Sequence, residues 1–130
     1  MGGKGKILLM DDEQVILDVI HEVLQFLGYD ATFARDGAAA IEIYSRERTN
    51  GRPFDLVILD LTVPDGMGGK EAFEKLRMVD PKVKVVISSG FTDDPMMAEF
   101  AEFGLDGILA KPYRINDIKA LLERMIQKNL

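Results

Sequence analysis

Phe54-Asp55-Leu56-Val57-Ile58-Leu59-Asp60-Leu61-Thr62-Val63-Pro64-Asp65-Gly66-Met67-Gly68-Gly69 begins as an apolar run and ends as a Pro/Gly turn. Val, Ile and Leu closed by turn residues predict a strand, Phe54 to Leu59, buried on both faces. Asp60 stands where that strand stops. Its carboxylate is thus carried by a core element to a sheet edge, where ligands bind in open α/β folds. Read alone, Asp60 serves equally well as a turn cap, a common use of Asp. The segments on either side decide between the two.

Upstream, Lys6 to Met10 predicts a first strand running into Asp11-Asp12-Glu13. Val15, Ile16, Val19, Ile20, Val23, Leu24 and Leu27 then recur at helical spacing, with Gly28 as C-cap. Asp30 to Ala34 is a second strand, and Asp36-Gly37 turns into a helix from Ala38 to about Arg48, with Ile41 and Tyr44 inward. Downstream, a third helix covers about Lys70 to Met78 with Phe73 and Leu76 inward, and Asp80-Pro81 ends it. Val83 to Ile87 is a fourth strand leading to Ser88-Ser89-Gly90. Asp94-Pro95 opens a fourth helix, with Pro at its first position, and Gly104 closes it. Gly107 to Ala110 is a fifth strand before Lys111-Pro112. Ile115 to Lys128 is a last helix, with Ile118, Leu121, Leu122, Met125 and Ile126 inward.

Alternating strands and helices imply α/β architecture, a parallel sheet with right-handed crossovers. For such a chain the flavodoxin-like, doubly wound order 2-1-3-4-5 is the common solution, with five helices on both faces. All strands of a parallel sheet end on one side. Asp11 and Asp12, Asp60, Ser88 and Ser89, and Lys111 should therefore meet at one edge. Two like charges about 4 Å apart repel by roughly 4 kcal/mol at an effective dielectric near 20. Three carboxylates need countercharge, which Lys111 and a hard divalent cation can supply. Oxygen ligands without His or Cys suit Mg2+ better than zinc. A lone carboxylate can attack phosphorus to give an acyl phosphate, and phosphoryl transfer then requires neutralisation of the phosphoryl oxygens. The metal at Asp11 and Asp12, Lys111, and the Ser89 hydroxyl can each take one oxygen, and the Thr62 backbone carbonyl is a further metal ligand candidate. Each piece has a bland reading as N-cap, turn or edge feature. Their coincidence at one edge favours chemistry.

Composition narrows the alternatives. The 130 residues fit one domain. A net charge of -6 without a Lys/Arg cluster argues against direct nucleic-acid binding. Cysteine is absent and His21 is the single histidine, so thiolate zinc sites and histidine triads are disfavoured; His21 is placed on a solvated helix face. No apolar run reaches the roughly 20 residues of a membrane span, and no signal-peptide pattern opens the chain. Cytoplasmic localisation is expected, which leaves room for a membrane-anchored parent. Residues 1–5 read as a linker tail and 6–130 as the domain.

Ile7-Leu8-Leu9-Met10-Asp11-Asp12-Glu13, Leu59-Asp60-Leu61-Thr62-Val63-Pro64, Ser89-Gly90 and Lys111-Pro112-Tyr113 together resemble the receiver domain of two-component response regulators. The likeness runs from about Lys4 to Lys128, and the segment after Asp60 is most similar to receivers of hybrid sensor histidine kinases. The resemblance implies that Asp60 is the phosphoacceptor, loaded by a sensor histidine kinase or a histidine phosphotransfer domain. It implies that Asp12 ligates magnesium directly and Asp11 mainly through water. It matches Ser89 to the switch hydroxyl and Lys111 to the family lysine, with a cis bond to Pro112. Phosphorylation would switch partner interactions, with a downstream protein left open. A homodimer through the fourth helix, fifth strand and fifth helix is also compatible. An excised receiver or a stand-alone regulator is expected, rather than a conventional enzyme.

Two positions depart from or tune that pattern. The usual switch aromatic, three residues before the lysine, is Ile108, which puts the hydroxyl–aromatic coupling in question. Thr62 and Phe91 flank the line of water attack on the acyl phosphate, and neither orients water well. Slow self-dephosphorylation is therefore expected, and a Phe91→Glu exchange should shorten the phosphoryl lifetime when its decay is followed by mass. Three competing readings fit these residues less well. A magnesium-dependent aspartyl-phosphate phosphatase of the haloacid-dehalogenase type wants a second Asp where Thr62 stands, and a cap insertion. A flavin binder would need Gly, Ser or Thr donors where Asp11-Asp12-Glu13 stands. A phosphorylation-independent adaptor would not need the full acid set.

Overall fold

The computed structural model describes residues 4–61, 67–89, 104–111 and 114–126. Its elements are β1 (Lys6–Met10), α1 (Gln14–Leu27), β2 (Asp30–Ala34), α2 (Gly37–Thr49), β3 (Leu56–Asp60), α3 (Gly69–Val79), β4 (Val85–Ser89), β5 (Gly107–Ala110) and α4 (Ile115–Met125). The five strands form one parallel sheet in the order β2-β1-β3-β4-β5. Four helices lie among the described residues. The expected helix between Asp94 and Gly104 falls on residues 90–103, outside the described ones. The last helix ends at Met125, short of the expected Lys128, because Ile126 already leaves helical geometry.

The central strands carry no polar alternation because both of their faces are covered. On one face Leu8, Met10, Val57, Leu59, Val85 and Ile87 pack against Ala40 and Tyr44 of α2 and Phe73 and Leu76 of α3. On the other, Ile7, Leu9, Leu56, Ile58, Val86 and Leu109 meet Leu17, Ile20 and Leu24 of α1 and Ile118, Leu121 and Leu122 of α4. The sheet is thus held between two apolar layers.

Several boundaries and faces differ from expectation. Strand β3 runs to Asp60 and starts at Leu56, not Phe54; β4 covers Val85–Ser89 rather than Val83 to Ile87. Asp60, Ser88 and Ser89 are therefore strand residues, with Asp60 paired to Ser88 in the register. In α1 the buried stripe is Leu17, Ile20 and Leu24, while Val15 and Val19 face outward at 74% and 55% exposure. Gly28 closes that helix in the left-handed region at φ 93°, where a side chain would be strained. Ile41, Met125 and Ile126 are only partly buried. His21 stands edge-on to Phe33, ring centroids 5.3 Å apart, a packing contact with no chemistry attached.

At the opposite edge Tyr44 donates to Asp80 Oδ2 at 2.7 Å. That bond is the main reason the Asp80 carboxyl lies below its ordinary 3.8, against the effect of burial, with the Lys82 backbone N–H and Arg48 adding to it. A depressed carboxyl pKa stabilises the fold above pH 3.8, and this is lost as pH falls through the folded value. Burial, then Asp80, raises the Tyr44 pKa above 10.0; its contribution is present below pH 10.0 and fades at more alkaline pH. Tyr44→Phe is expected to cost about 1–3 kcal/mol at pH 7. Urea unfolding of the variant should also show a smaller loss of stability below pH 4 than the wild type (roughly the ordinary carboxylate range).

Candidate functional site

Four strands deliver the site. Asp11 follows β1, where its N–H donates to Ala34 O at 3.0 Å and so continues the β1–β2 ladder. Its Oδ1 accepts from the Glu13 N–H at 3.0 Å, tying the carboxylate to the start of α1. Asp60 ends β3. Beyond it the Leu61 N–H donates to Ser88 O at 3.0 Å, and the Lys111 N–H donates to Ser89 O at 2.8 Å. The backbones flanking all three charged positions are thus fixed by sheet hydrogen bonds before any side chain acts.

Asp11 and Asp60 are 1% and 5% exposed. Carboxylates so buried are costly unless paired. The partner is Lys111, whose Nζ lies 3.2 Å from Asp11 Oδ2 and 3.2 Å from Asp60 Oδ1. Burial works against the charged ammonium, but Asp60 and then Asp11 outweigh it and hold the Lys111 pKa above an ordinary lysine's. One cation bridging two buried anions leaves the cluster net negative. Asp12, half-buried, completes the cluster, and one oxygen from each of Asp11, Asp12 and Asp60 lies within 4.8 Å of the others. Three hard oxygen donors, two of them buried, fit a small divalent cation. Both oxygens of Asp11 already accept hydrogen bonds, from Glu13 and from Lys111.

Ser89 is buried at the end of β4, one residue past the partner of Asp60. Ile108 sits on β5 at 41% exposure. Thr62, Phe91 and Pro112, and with Pro112 the expected cis bond, lie outside the described residues.

Three features of the site were not read from the sequence. Arg35 reaches across from the β2–α2 turn to donate to Asp12 O at 3.1 Å and Gln14 Oε1 at 3.0 Å, placing a guanidinium at the lip of the acidic cluster. Gly69 packs its Cα on the phosphoacceptor candidate's own backbone: a Cβ there would lie 2.7 Å from Asp60 O. Ser88, expected with Ser89 just past the end of the fourth strand, is instead buried within it. The signal available for Ser88 was the unbroken Val83-Lys84-Val85-Val86-Ile87 run, which has no breaker before Gly90.

Comparison with known proteins gives one consistent answer. The family profile described as the response regulator receiver domain matches residues 7–123. The sporulation initiation phosphotransferase F of Bacillus subtilis is 31% identical over 121 residues, 93% of each chain. Sensor kinase CckA of Brucella abortus is 27% identical over 128 residues, and there the chain spans 13% of the relative's length. Among solved structures, the receiver domain of a sensor histidine kinase from Pseudomonas aeruginosa PAO1 has a TM-score of 0.83 at 26% identity. The match covers 98% of this chain and 100% of that one, which was solved with a magnesium ion coordinated in its active-site cleft.

Proposed function

Because the chain belongs to the response regulator receiver domain family, we propose that Asp60 accepts a phosphoryl group from a phosphohistidine of a signalling partner. The observation that carries this reading is the Lys111 ammonium held 3.2 Å from both Asp60 and Asp11 within a three-carboxylate cluster. In the transfer, an Asp60 carboxylate oxygen forms a bond to phosphorus. The P–N bond to the donor histidine breaks, and its electron pair returns to the imidazole. The product is an acyl phosphate on a buried, sheet-anchored side chain.

Lys111 neutralises developing charge on the phosphoryl oxygens, because its stem already brings the ammonium to Asp60. The Ser89 hydroxyl, buried beside the strand end, is assigned to a second phosphoryl oxygen. Asp12, less buried and with its carbonyl held by Arg35, is assigned as the direct magnesium ligand, with Asp60. Asp11, both of whose oxygens are engaged, acts mainly through water; the Thr62 carbonyl completes the assignment. Bound magnesium would supply charge neutralisation on the phosphoryl oxygens.

The domain is proposed to assist its own phosphorylation and to act as a switch, not as a conventional enzyme. Thr62 and Phe91 are assigned to the lifetime of the acyl phosphate, and Ile108 to a weakened aromatic switch. Ile108 and Ile115, exposed on neighbouring β5 and α4, give a second copy an apolar contact. The parent is proposed to be a cytoplasmic stand-alone regulator or a hybrid kinase; likeness to the Bacillus phosphotransferase along its length supports the first and the Pseudomonas kinase receiver the second. Among the described residues no helix is long and apolar enough to cross a membrane.

Intact mass after incubation with acetyl phosphate tests the proposal. Wild type should gain one phosphoryl group with magnesium and none in EDTA, and Asp60→Asn should gain none in either. Catalytic turnover of phosphate esters without an adduct would favour the phosphatase reading instead.

A further inference from the structure

Ser88 is 2% exposed, and its Oγ is the one buried side-chain polar atom among the described residues without a hydrogen-bond partner. A buried hydroxyl left unpaired is costly and calls for a physical reason. Its place in the sheet supplies one. In the register Ser88 stands between Asp60 on β3 and Leu109 on β5. Strand alternation puts it on the same face as Val86, Ile58 and Leu109. Asp60 shares that face by the same period.

Lys111 follows Leu109 by two residues on that face, and its Nζ ends at Asp60 and Asp11, on the far side of β4. To get there from the end of β5 the lysine stem must cross β4. The residue that β4 presents on that face, level with Asp60, is Ser88. The ammonium has three protons to give. Two of its contacts are the carboxylates, both at 3.2 Å, longer than the roughly 2.7–2.9 Å of a tight charge-assisted bond. It is suspended between two anions and docked tightly on neither.

We propose that Ser88 is a positioning residue for Lys111: its hydroxyl oxygen accepts a hydrogen bond from the ammonium as the lysine shifts from the Asp60 carboxylate to the phosphoryl oxygens. The inference rests on Asp60 being the phosphoacceptor. Phosphorylation moves negative charge outward from the carboxylate, and the ammonium must follow it in a site that excludes much of the water. A flexible four-carbon stem does not hold one path. A fixed acceptor beneath it narrows the choice. The hydroxyl is unpaired in the resting state because its partner arrives only in the reacting one. The competing account is a structural water lodged against Ser88.

Ser88→Ala and Ser88→Thr separate the two. In EDTA, thermal unfolding of Ser88→Ala should occur at or above the wild-type midpoint, because an unpaired hydroxyl has been replaced by an apolar group of similar shape. With magnesium and acetyl phosphate, its phosphorylation rate at saturating donor should fall about tenfold, the scale of one hydrogen bond to a charged group. The donor concentration for half-maximal rate should hold, and Ser88→Thr should restore most of the rate. Ser88→Ala phosphorylated at the wild-type rate overturns the proposal, as does an alanine variant that melts lower in EDTA with its rate intact, the water result. If wild type is labelled on Asp60 and the variants match it, this inference alone fails. If wild type takes no label, the phosphoacceptor reading falls with it.

Discussion

A Lys111→Met variant is expected to lose about 3–5 kcal/mol of stability in EDTA, the cost of leaving a buried charge without its partner. Asp11 and Asp60 are almost fully buried, and the ammonium is within 3.2 Å of each. Met keeps the stem's length and apolar contacts, so the loss isolates the charge. Much of it should return in millimolar magnesium, because a divalent cation then meets the two bared carboxylates together with Asp12. Wild type should gain less from magnesium, since its ammonium already opposes a cation in the same cluster. Urea unfolding of both proteins, with and without magnesium, checks this. Equal magnesium gains would show that ammonium and cation do not share the site. The variant should also take up phosphoryl groups at least tenfold more slowly with metal present, because charge on the phosphoryl oxygens is no longer met on the lysine side.

Gly69→Ala is the second large expected effect. The added Cβ would lie 2.7 Å from Asp60 O and 3.0 Å from Leu61 Cα, both backbone atoms that cannot swing aside. Gly69 begins α3, and its N–H donates to Leu61 O at 3.2 Å, so helix and strand end are locked together here. Relief requires the start of α3 to back away from β3. The expected cost is about 1–3 kcal/mol, as for overpacking in a core. The phosphorylation rate should fall as well, since the shift is applied at the residue proposed to carry the phosphoryl group. Gly51→Ala is the contrast. Gly51 has φ 79° but nothing within 4 Å of its added Cβ. It should lower stability through backbone strain and leave phosphorylation unchanged. Thermal melts and phosphorylation rates of the two variants side by side separate strain from displacement.

The meeting of Asp11, Asp12, Asp60 and Lys111 was legible because a parallel sheet sends every strand end to one edge, and the order of the sheet is the common solution for five alternating strands and helices. What was less legible follows from how burial is distributed. Apolar positions of α1 run through Val15, Ile16, Leu17, Val19, Ile20, Val23 and Leu24, nearly round the helix. Such a ring does not say which stripe faces the sheet. The fold chose Leu17, Ile20 and Leu24, leaving Val15, Val19 and Phe26 in solvent. Polar residues do not stop these strands. Asp60, Ser88 and Ser89 remain in the ladder, buried by their neighbours, since the sheet edge is itself the pocket. Gly69 reads in sequence as one more turn glycine, and only the close approach of α3 to the end of β3 shows that its missing Cβ makes room for the Asp60 backbone.

These particulars converge on one atom pair, a bond between an Asp60 oxygen and phosphorus. The most direct test is to label wild-type protein with acetyl phosphate and magnesium, reduce the acyl phosphate with borohydride, and map the peptides by mass. The account predicts homoserine in place of aspartate at position 60, and only there. Reduction at Asp11 or Asp12, or a phosphoryl group on a hydroxyl that survives borohydride, would contradict it.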